Sequence, residues 1–349
     1  MTQELADRRV VITGGAGFIG HNLALTLKRL GAKVDVIDSL QVNNLNEFAS
    51  DLNKVPNRAL YLKIIHDRIA LLHEADIPVH VIDVRDYHMV SRLIKAVEPH
   101  AIVHLSAVAH ANVANKEPYS TFDHSLPTLQ NTLDCSRLFN SHFIYFSSSM
   151  VYGNFPDGFV TEESACEPLG IYGALKFAGE KIVIAYNQVF GVPYTIVRPS
   201  ALYGERCVSR RVGQIFIENA FQGRALQVAG DGSDRLDFTY VQDVVDGVVS
   251  ILTNPDSQNQ VFNLTYGDSR SIAQMVDIVK QHFPEIAVQY TQRDRLVPSR
   301  GTLSMEKAKR VLGFEPQYPL ETGFPRYIEW YRTLFMSNQA TWDGRRGAP

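Results

Sequence analysis

The sequence predicts an α/β fold: a doubly wound parallel sheet followed by a smaller C-terminal α+β lobe. Three observations predict it. Short apolar runs alternate with helical segments over roughly the first 200 residues, a glycine-rich turn separates the first run from the first helix, and past about residue 199 the alternation loosens.

In chain order, Val10-Val11-Ile12 reads as a buried strand, Thr13 to Gly20 as a glycine turn, and Leu23, Leu27 and Leu30 as one face of a helix. Lys33–Ile37 is the second strand. Val79–Asp83, Ala101–Leu105, Phe143–Ser147 and Tyr194–Arg198 continue the strand series, with helices expected around Tyr87–Val97, Leu126–Phe139 and Tyr172–Val189. Right-handed crossovers then place the strand C-termini along one edge, which carries Gly17, Asp38, His104, Ser148 and Arg198. Open α/β sheets bind their ligands at that edge. Leu226–Val228, Leu236–Tyr240, Val261–Asn263, Ser271–His282 and Ala287–Tyr290 read as the smaller lobe. The connection from 39 to 77 is long, and Leu62, Ile65, Ile69 and Leu72 recur in it at helical spacing. That stripe is expected to pack on the parent domain, with a subunit contact or a lid as the other roles open to it.

The glycine turn has a specific chemical use. Gly14, Gly17 and Gly20 allow a tight strand-to-helix turn, and the N–H groups of a helix N-terminus attract a pyrophosphate. About twenty residues on, the second strand ends in Asp38, where a carboxylate binds the adenosine ribose hydroxyls and repels a 2′-phosphate. This favours NAD over NADP; a strand-end turn is the other role open to Asp38. Residues 1–198 are therefore expected to form an NAD-binding domain, 199–336 mainly a substrate lobe, and 337–349 a polar tail.

Tyr172 and Lys176 are four apart on an expected helix and project from one face. A phenol is a poor base at neutral pH, and an ammonium close by favours its phenolate. Ser147-Ser148-Ser149 ends the apolar run upstream and supplies a hydroxyl.

Composition is compatible with such an enzyme and excludes several alternatives. The 349 residues are 45% hydrophobic with a formal net charge of -3, which argues against a general nucleic-acid or membrane-surface binder. Cys135, Cys166 and Cys207 show no metal-ligand spacing and read as reduced thiols of a cytoplasmic protein. No metal is expected, and there is neither an 18-residue apolar run nor room for a signal peptide before the first strand.

Taken together, the motifs resemble the extended short-chain dehydrogenase/reductases, and within them the NAD-dependent nucleotide-sugar epimerases and dehydratases. The carriers are Thr13-Gly-Gly-Ala-Gly17-Phe18-Ile19-Gly20, Asp83-Val84, His104-Leu105-Ser106-Ala107, Ser147 to Gly153, Tyr172 to Lys176, Arg198 to Gly204, Arg235 to Asp243 and Arg300-Gly301. The resemblance implies a Rossmann-type fold and a Ser148, Tyr172, Lys176 catalytic set, with Tyr172 as base and Lys176 also on the nicotinamide ribose. It implies adenine contacts from Asp83 and Val84, a cofactor floor from Leu105, Ser106 and Ala107, and further cofactor contacts from Phe18, Ile19 and Ser200. Arg235 and Arg300 match diphosphate-binding positions, Ser149 and His110 are candidate substrate contacts, and a homodimer through two long helices is expected. For His110 a structural imidazole is equally open.

Where family dehydratases carry an Asp-Glu pair after the serine, this chain has Ser149-Met150. Neither can shuttle a proton at neutral pH, so the reaction favoured is 4-epimerisation of a nucleotide sugar, with hydride taken up by bound NAD and returned to the opposite face. A net C4 dehydrogenase of a nucleotide sugar or heptose is the alternative, ahead of a dehydratase or a cofactor-sensing regulator. Ala201 replaces a polar residue usual in relatives. Arg206, Arg210 and Arg211 form a basic cluster that suits a substrate carboxylate or phosphate, or a solvated loop.

Overall fold

The computed structural model describes residues 5–49, 55–108, 111–293 and 297–336, with the side chains of 111–113 left undescribed. Its first half runs β1 (Arg9–Thr13), α1 (Phe18–Arg29), β2 (Lys33–Ile37), α2 (Leu45–Ala49), α3 (Arg58–Glu74), β3 (Val79–His80), α4 (Tyr87–Val97) and β4 (Ala101–His104). There follow α5 (Ala111–Lys116), α6 (Pro118–Arg137), β5 (His142–Phe146), β6 (Phe159–Val160), α7 (Gly170–Phe190), β7 (Tyr194–Pro199) and β8 (Leu202–Tyr203). Then come α8 (Val212–Phe221), β9 (Leu226–Ala229), β10 (Arg235–Leu236), β11 (Thr239–Tyr240), α9 (Val241–Thr253) and β12 (Gln260–Leu264). The chain closes with β13 (Arg270–Ser271), α10 (Ile272–His282), β14 (Val288–Thr291), β15 (Thr302–Leu303), α11 (Glu306–Leu312) and α12 (Leu320–Met336).

Seven strands form one parallel sheet in the order β12-β7-β5-β4-β1-β2-β3. The winding reverses between β1 and β4, so the crevice at their C-terminal ends is the place where such sheets bind ligands. Central strands are apolar on both faces because helices cover both; β5 is buried at all five positions. The short strands of the C-terminal half pair in twos beside this sheet.

Two features near the sheet differ from the sequence expectation. Val261–Asn263 belongs to β12, which pairs parallel with β7 as the outermost strand of the large sheet and so leaves the smaller lobe. Strand β3 stops at His80, and Asp83 lies in the turn beyond it, where its carboxylate pairs with Arg85 at 2.6 Å.

The long connection contains α3, whose buried residues are Leu60, Tyr61, Ile64, Ile65, Arg68 and Leu72. Leu62 and Ile69 are partly buried against the same core. The stripe packs on the parent domain as expected, and it also grips the second lobe: Tyr61 and Asn57 each donate to Glu218 at 2.7 Å. Helices α6 and α7 lie side by side and leave Tyr119, Phe122, Val189 and Phe190 exposed. Among the described residues no helix is long and apolar enough to cross a membrane.

Candidate active site

At the first turn of the sheet, Gly14 has φ +71, and a Cβ there would come within 3.0 Å of the Ser106 nitrogen on the neighbouring strand end. The backbone therefore passes close to β4 and leaves the N-terminus of α1 open in front of it. Asp38, 8% exposed, accepts hydrogen bonds from the backbone N–H of Ala16 at 3.0 Å and of Leu40 at 2.8 Å. These fix the carboxylate beside the glycine turn, while burial lifts its pKa above the ordinary carboxylate value.

On the other side of the switch point, β5 runs into a single 3-10 turn, Ser149–Tyr152, and the Ser148 hydroxyl caps it by accepting from the Met150 N–H at 3.2 Å. Helix α7 can approach this turn because position 173 is glycine: a Cβ there would lie 2.7 Å from the Met150 carbonyl oxygen. Tyr172 and Lys176, one turn apart on α7, are thereby brought to Ser148. Burial raises the pKa of the Tyr172 phenol, while the Arg211 guanidinium and the nearby Ser148 hydroxyl pull it down. Lys176 donates to the Phe146 carbonyl at 2.7 Å, and desolvation brings its pKa down to about 8. The positive charge acting on the tyrosine is that of Arg211 rather than the expected Lys176, whose ammonium is turned to the Phe146 carbonyl.

A cavity of about 690 Å³ joins these elements. It is lined by Gly14, Gly17, Phe18, Ile19, Gly20, Asp38, Asp83 and Val84 on one flank. Leu105, Ser106, Ala107, Ser148, Ser149, Tyr172, Lys176 and Ser200 form the middle, and Arg235 and Arg300 the far flank. The candidate catalytic, cofactor-binding and diphosphate-binding residues named from the sequence thus border one space; Arg206 of the basic cluster does not line it, and His110 lies outside the described residues.

The far flank is strongly basic. Arg235 is exposed at the rim, its Nε donating to Ser269 Oγ at 3.0 Å. Arg300 is brought down to about pKa 10 by burial and by the neighbouring Arg211, with Asp234 opposing, and the Nε atoms of Arg211 and Arg300 have no hydrogen-bond partner. Two crowded guanidiniums with open donors suit an anion. Of the basic cluster, Arg210 and Arg211 line the cavity, on a loop in which Ala201, Arg206 and Arg210 hold φ values of 36, 63 and 53. Such left-handed non-glycine residues are costly and gather at functional sites.

Other charged groups at this edge are structural. His104 is 2% exposed, bonded to Thr13 Oγ1 at 3.0 Å and neutral, with its pKa pushed to about 3 by burial and by Lys176. Arg198 forms a buried two-pronged pair with Glu180, Nε to Oε1 at 2.9 Å and Nη2 to Oε2 at 2.7 Å. No cluster of metal ligands occurs among the described residues, and the three cysteines are free. Sequence reasoning missed Arg68, His124 and Thr128, which also line the cavity. For Arg68 the signal was available: an arginine on the apolar stripe of α3, between Ile65 and Leu72.

The model of the NAD dependent epimerase/dehydratase family matches residues 10–265. The chain belongs to this family. Similar curated proteins include UDP-glucuronate 4-epimerase 4 of Arabidopsis thaliana, 26% identical over 95% of this chain and 76% of that protein. An uncharacterised UDP-glucose epimerase of Bacillus subtilis is 27% identical over 94% and 99%. Among solved structures, the UDP-glucose 4-epimerase of Thermotoga maritima with UDP-glucose superposes with a TM-score of 0.80 at 25% identity, covering 93% of this chain and 99% of that one. The UDP-glucuronic acid 4-epimerase of Bacillus cereus, solved with UDP-glucuronic acid and NAD, shares the fold with a TM-score of 0.79 at 22% identity and the same coverage.

The cavity fits a dinucleotide. The glycine turn leaves room that a Cβ would take, Asp38 is oriented for a ribose, and the arginines beyond Tyr172 have open donors for a second phosphorylated ligand.

Proposed function

We propose that the protein is a nucleotide-sugar 4-epimerase that uses a resident NAD and passes through a 4-keto sugar. The observation that carries this reading is one cavity in which Ser148, Tyr172 and Lys176 lie between a dinucleotide cradle and a cluster of arginines, with Ser149 and Met150 following Ser148. Epimerisation needs a group to take and return one proton, a hydride acceptor, and space for the sugar to turn. Elimination of water needs an additional acid and base, which Ser149 and Met150 do not supply.

Asp38 and Gly14, Gly17 and Gly20 would hold the adenosine and pyrophosphate of NAD, and the Asp38 carboxylate disfavours the 2′-phosphate of NADP. When bound, NAD supplies the hydride-accepting carbon and a positively charged ring beside Tyr172. Tyr172 takes the proton of the sugar hydroxyl, and Ser148 holds the same oxygen through its hydroxyl. Burial opposes the phenolate, so its formation relies on the Arg211 guanidinium beside it, to which Lys176, largely protonated near neutral pH with a pKa of about 8, and a bound nicotinamide would add. Lys176 would also present its ammonium to the nicotinamide ribose. After the keto sugar has turned, Tyr172 returns the proton.

Arg235 and Arg300 would clamp the diphosphate, a task for planar charged donors. UDP-sugars are the first substrates to test, because the relatives carry UDP-sugar names. Three free cysteines agree with a reducing, cytoplasmic setting. The test is to incubate the purified protein with UDP-, GDP-, CDP- and dTDP-sugars and read the C4 configuration by NMR. Inversion at C4 in one nucleotide series is the expected result, and no inversion in any series discards the proposal.

A further inference from the structure

Arg68 sits on the buried face of α3 at 1% exposure and makes no ion pair among the described residues. Its Nε donates to the Arg206 carbonyl at 2.9 Å and Nη2 donates to the same oxygen, but Nη1 has no partner. Leaving a buried guanidinium proton unbonded is costly, so a well-folded chain is expected to provide something for it. Arg206 lies within electrostatic reach, and its Nε is unpartnered as well. His21, in the first turn of α1, feels both arginines, is neutral, and has an open Nε2. Arg68 lines the same cavity as Asp38 and Gly17. Asp38 is felt by Arg68 as a favourable charge but makes no ion pair with it, so Nη1 stays open.

Two neighbouring guanidiniums with open donors and no ion pair among the described residues suit an anion. Its position identifies the anion. A dinucleotide whose ribose lies on Asp38 and whose phosphates reach the N-terminus of α1 must carry its pyrophosphate across the span that Arg68 borders. We infer that Arg68 holds the cofactor pyrophosphate through its free Nη1, which makes the α3 insertion part of the cofactor site. This rests on the reading of the cavity as a dinucleotide site. Because the same guanidinium also binds the Arg206 carbonyl of the second lobe, cofactor retention and the seating of that lobe are tied to one residue. A cofactor recycled in place benefits from such retention.

The test compares wild type, Arg68→Met and Arg68→Lys, each stripped of bound nucleotide, for binding of ADP-ribose, adenosine, NAD and NADP by competition against NADH fluorescence. Arg68→Met should weaken ADP-ribose and NAD by about tenfold to a hundredfold and leave adenosine within about twofold, the loss of one charged hydrogen bond. Arg68→Lys retains the charge but not the fork; it should show a smaller loss with the same selectivity, and it decides the matter if the methionine variant does not fold. Equal losses for adenosine and ADP-ribose, or unchanged ADP-ribose affinity, would overturn the inference and leave Arg68 as a fold residue. A loss confined to NADP would overturn it in favour of a 2′-phosphate contact. If wild type binds no ADP-ribose, the dinucleotide reading itself falls.

Discussion

Tyr172→Phe leaves the fold and NAD binding intact and lowers turnover by about 10²–10⁴-fold, the range typical for loss of a positioned proton acceptor. The substitution removes one oxygen and almost no volume, so α7 keeps its approach to the Ser149–Tyr152 turn and Ser148 keeps its cap on the Met150 N–H. KM should change little, because the arginines on the far flank are untouched. Steady-state kinetics with circular dichroism and NAD binding on the same preparation check this. Turnover within tenfold of wild type would remove Tyr172 from the chemistry.

The largest effect on stability is expected at Glu180. Its side chain, 2% exposed, receives both Nε and Nη2 of Arg198, while the Ser147 hydroxyl donates to Oε1. Arg198 Nη1 also donates to the Tyr152 hydroxyl at 2.9 Å, and Tyr152 donates to Asn263 Oδ1 at 2.8 Å. One charge pair thus joins α7, the end of β7, the turn after β5 and the edge strand β12. Glu180→Ala strands the Arg198 charge in the interior and should cost about 3–5 kcal/mol in denaturant unfolding. Replacing both partners by apolar residues, Glu180→Leu with Arg198→Met, should recover much of that loss. A single-variant cost below about 1 kcal/mol would show that the pair does not hold α7 in place.

The central strands were legible because a parallel strand covered on both faces is a continuous apolar run, as in Phe143–Phe146 or Tyr194–Val197. The placement of Val261–Asn263 was not, since nothing in a three-residue apolar run states that the chain has returned to pair with β7. Helix α6 begins at Pro118, eight residues before the expected Leu126, because Pro118 suits a first helical position while Pro127 inside the helix disguised its continuity. Among site residues, Tyr172 and Lys176 were found from their spacing together with Ser147-Ser148-Ser149 upstream and the glycine turn. Arg211 could be named only as one of a loop cluster, since its approach to Tyr172 depends on a loop with left-handed φ values at Ala201, Arg206 and Arg210. Arg68 escaped notice because α3 was read for its apolar stripe, and a charge on that stripe carries meaning only once the stripe is known to be buried.

The central claim is that hydride leaves the sugar and returns to it within one site. The most direct measurement follows NADH absorbance and C4 configuration together, in protein purified without added cofactor and given the nucleotide sugar it converts. The account predicts that the protein carries NAD(H) rather than NADP(H), that the C4 epimer accumulates to equilibrium, and that no net NADH appears. Stoichiometric NADH with a keto-sugar product would contradict it and make the protein a dehydrogenase, and a 4-keto-6-deoxy product would contradict it by showing elimination.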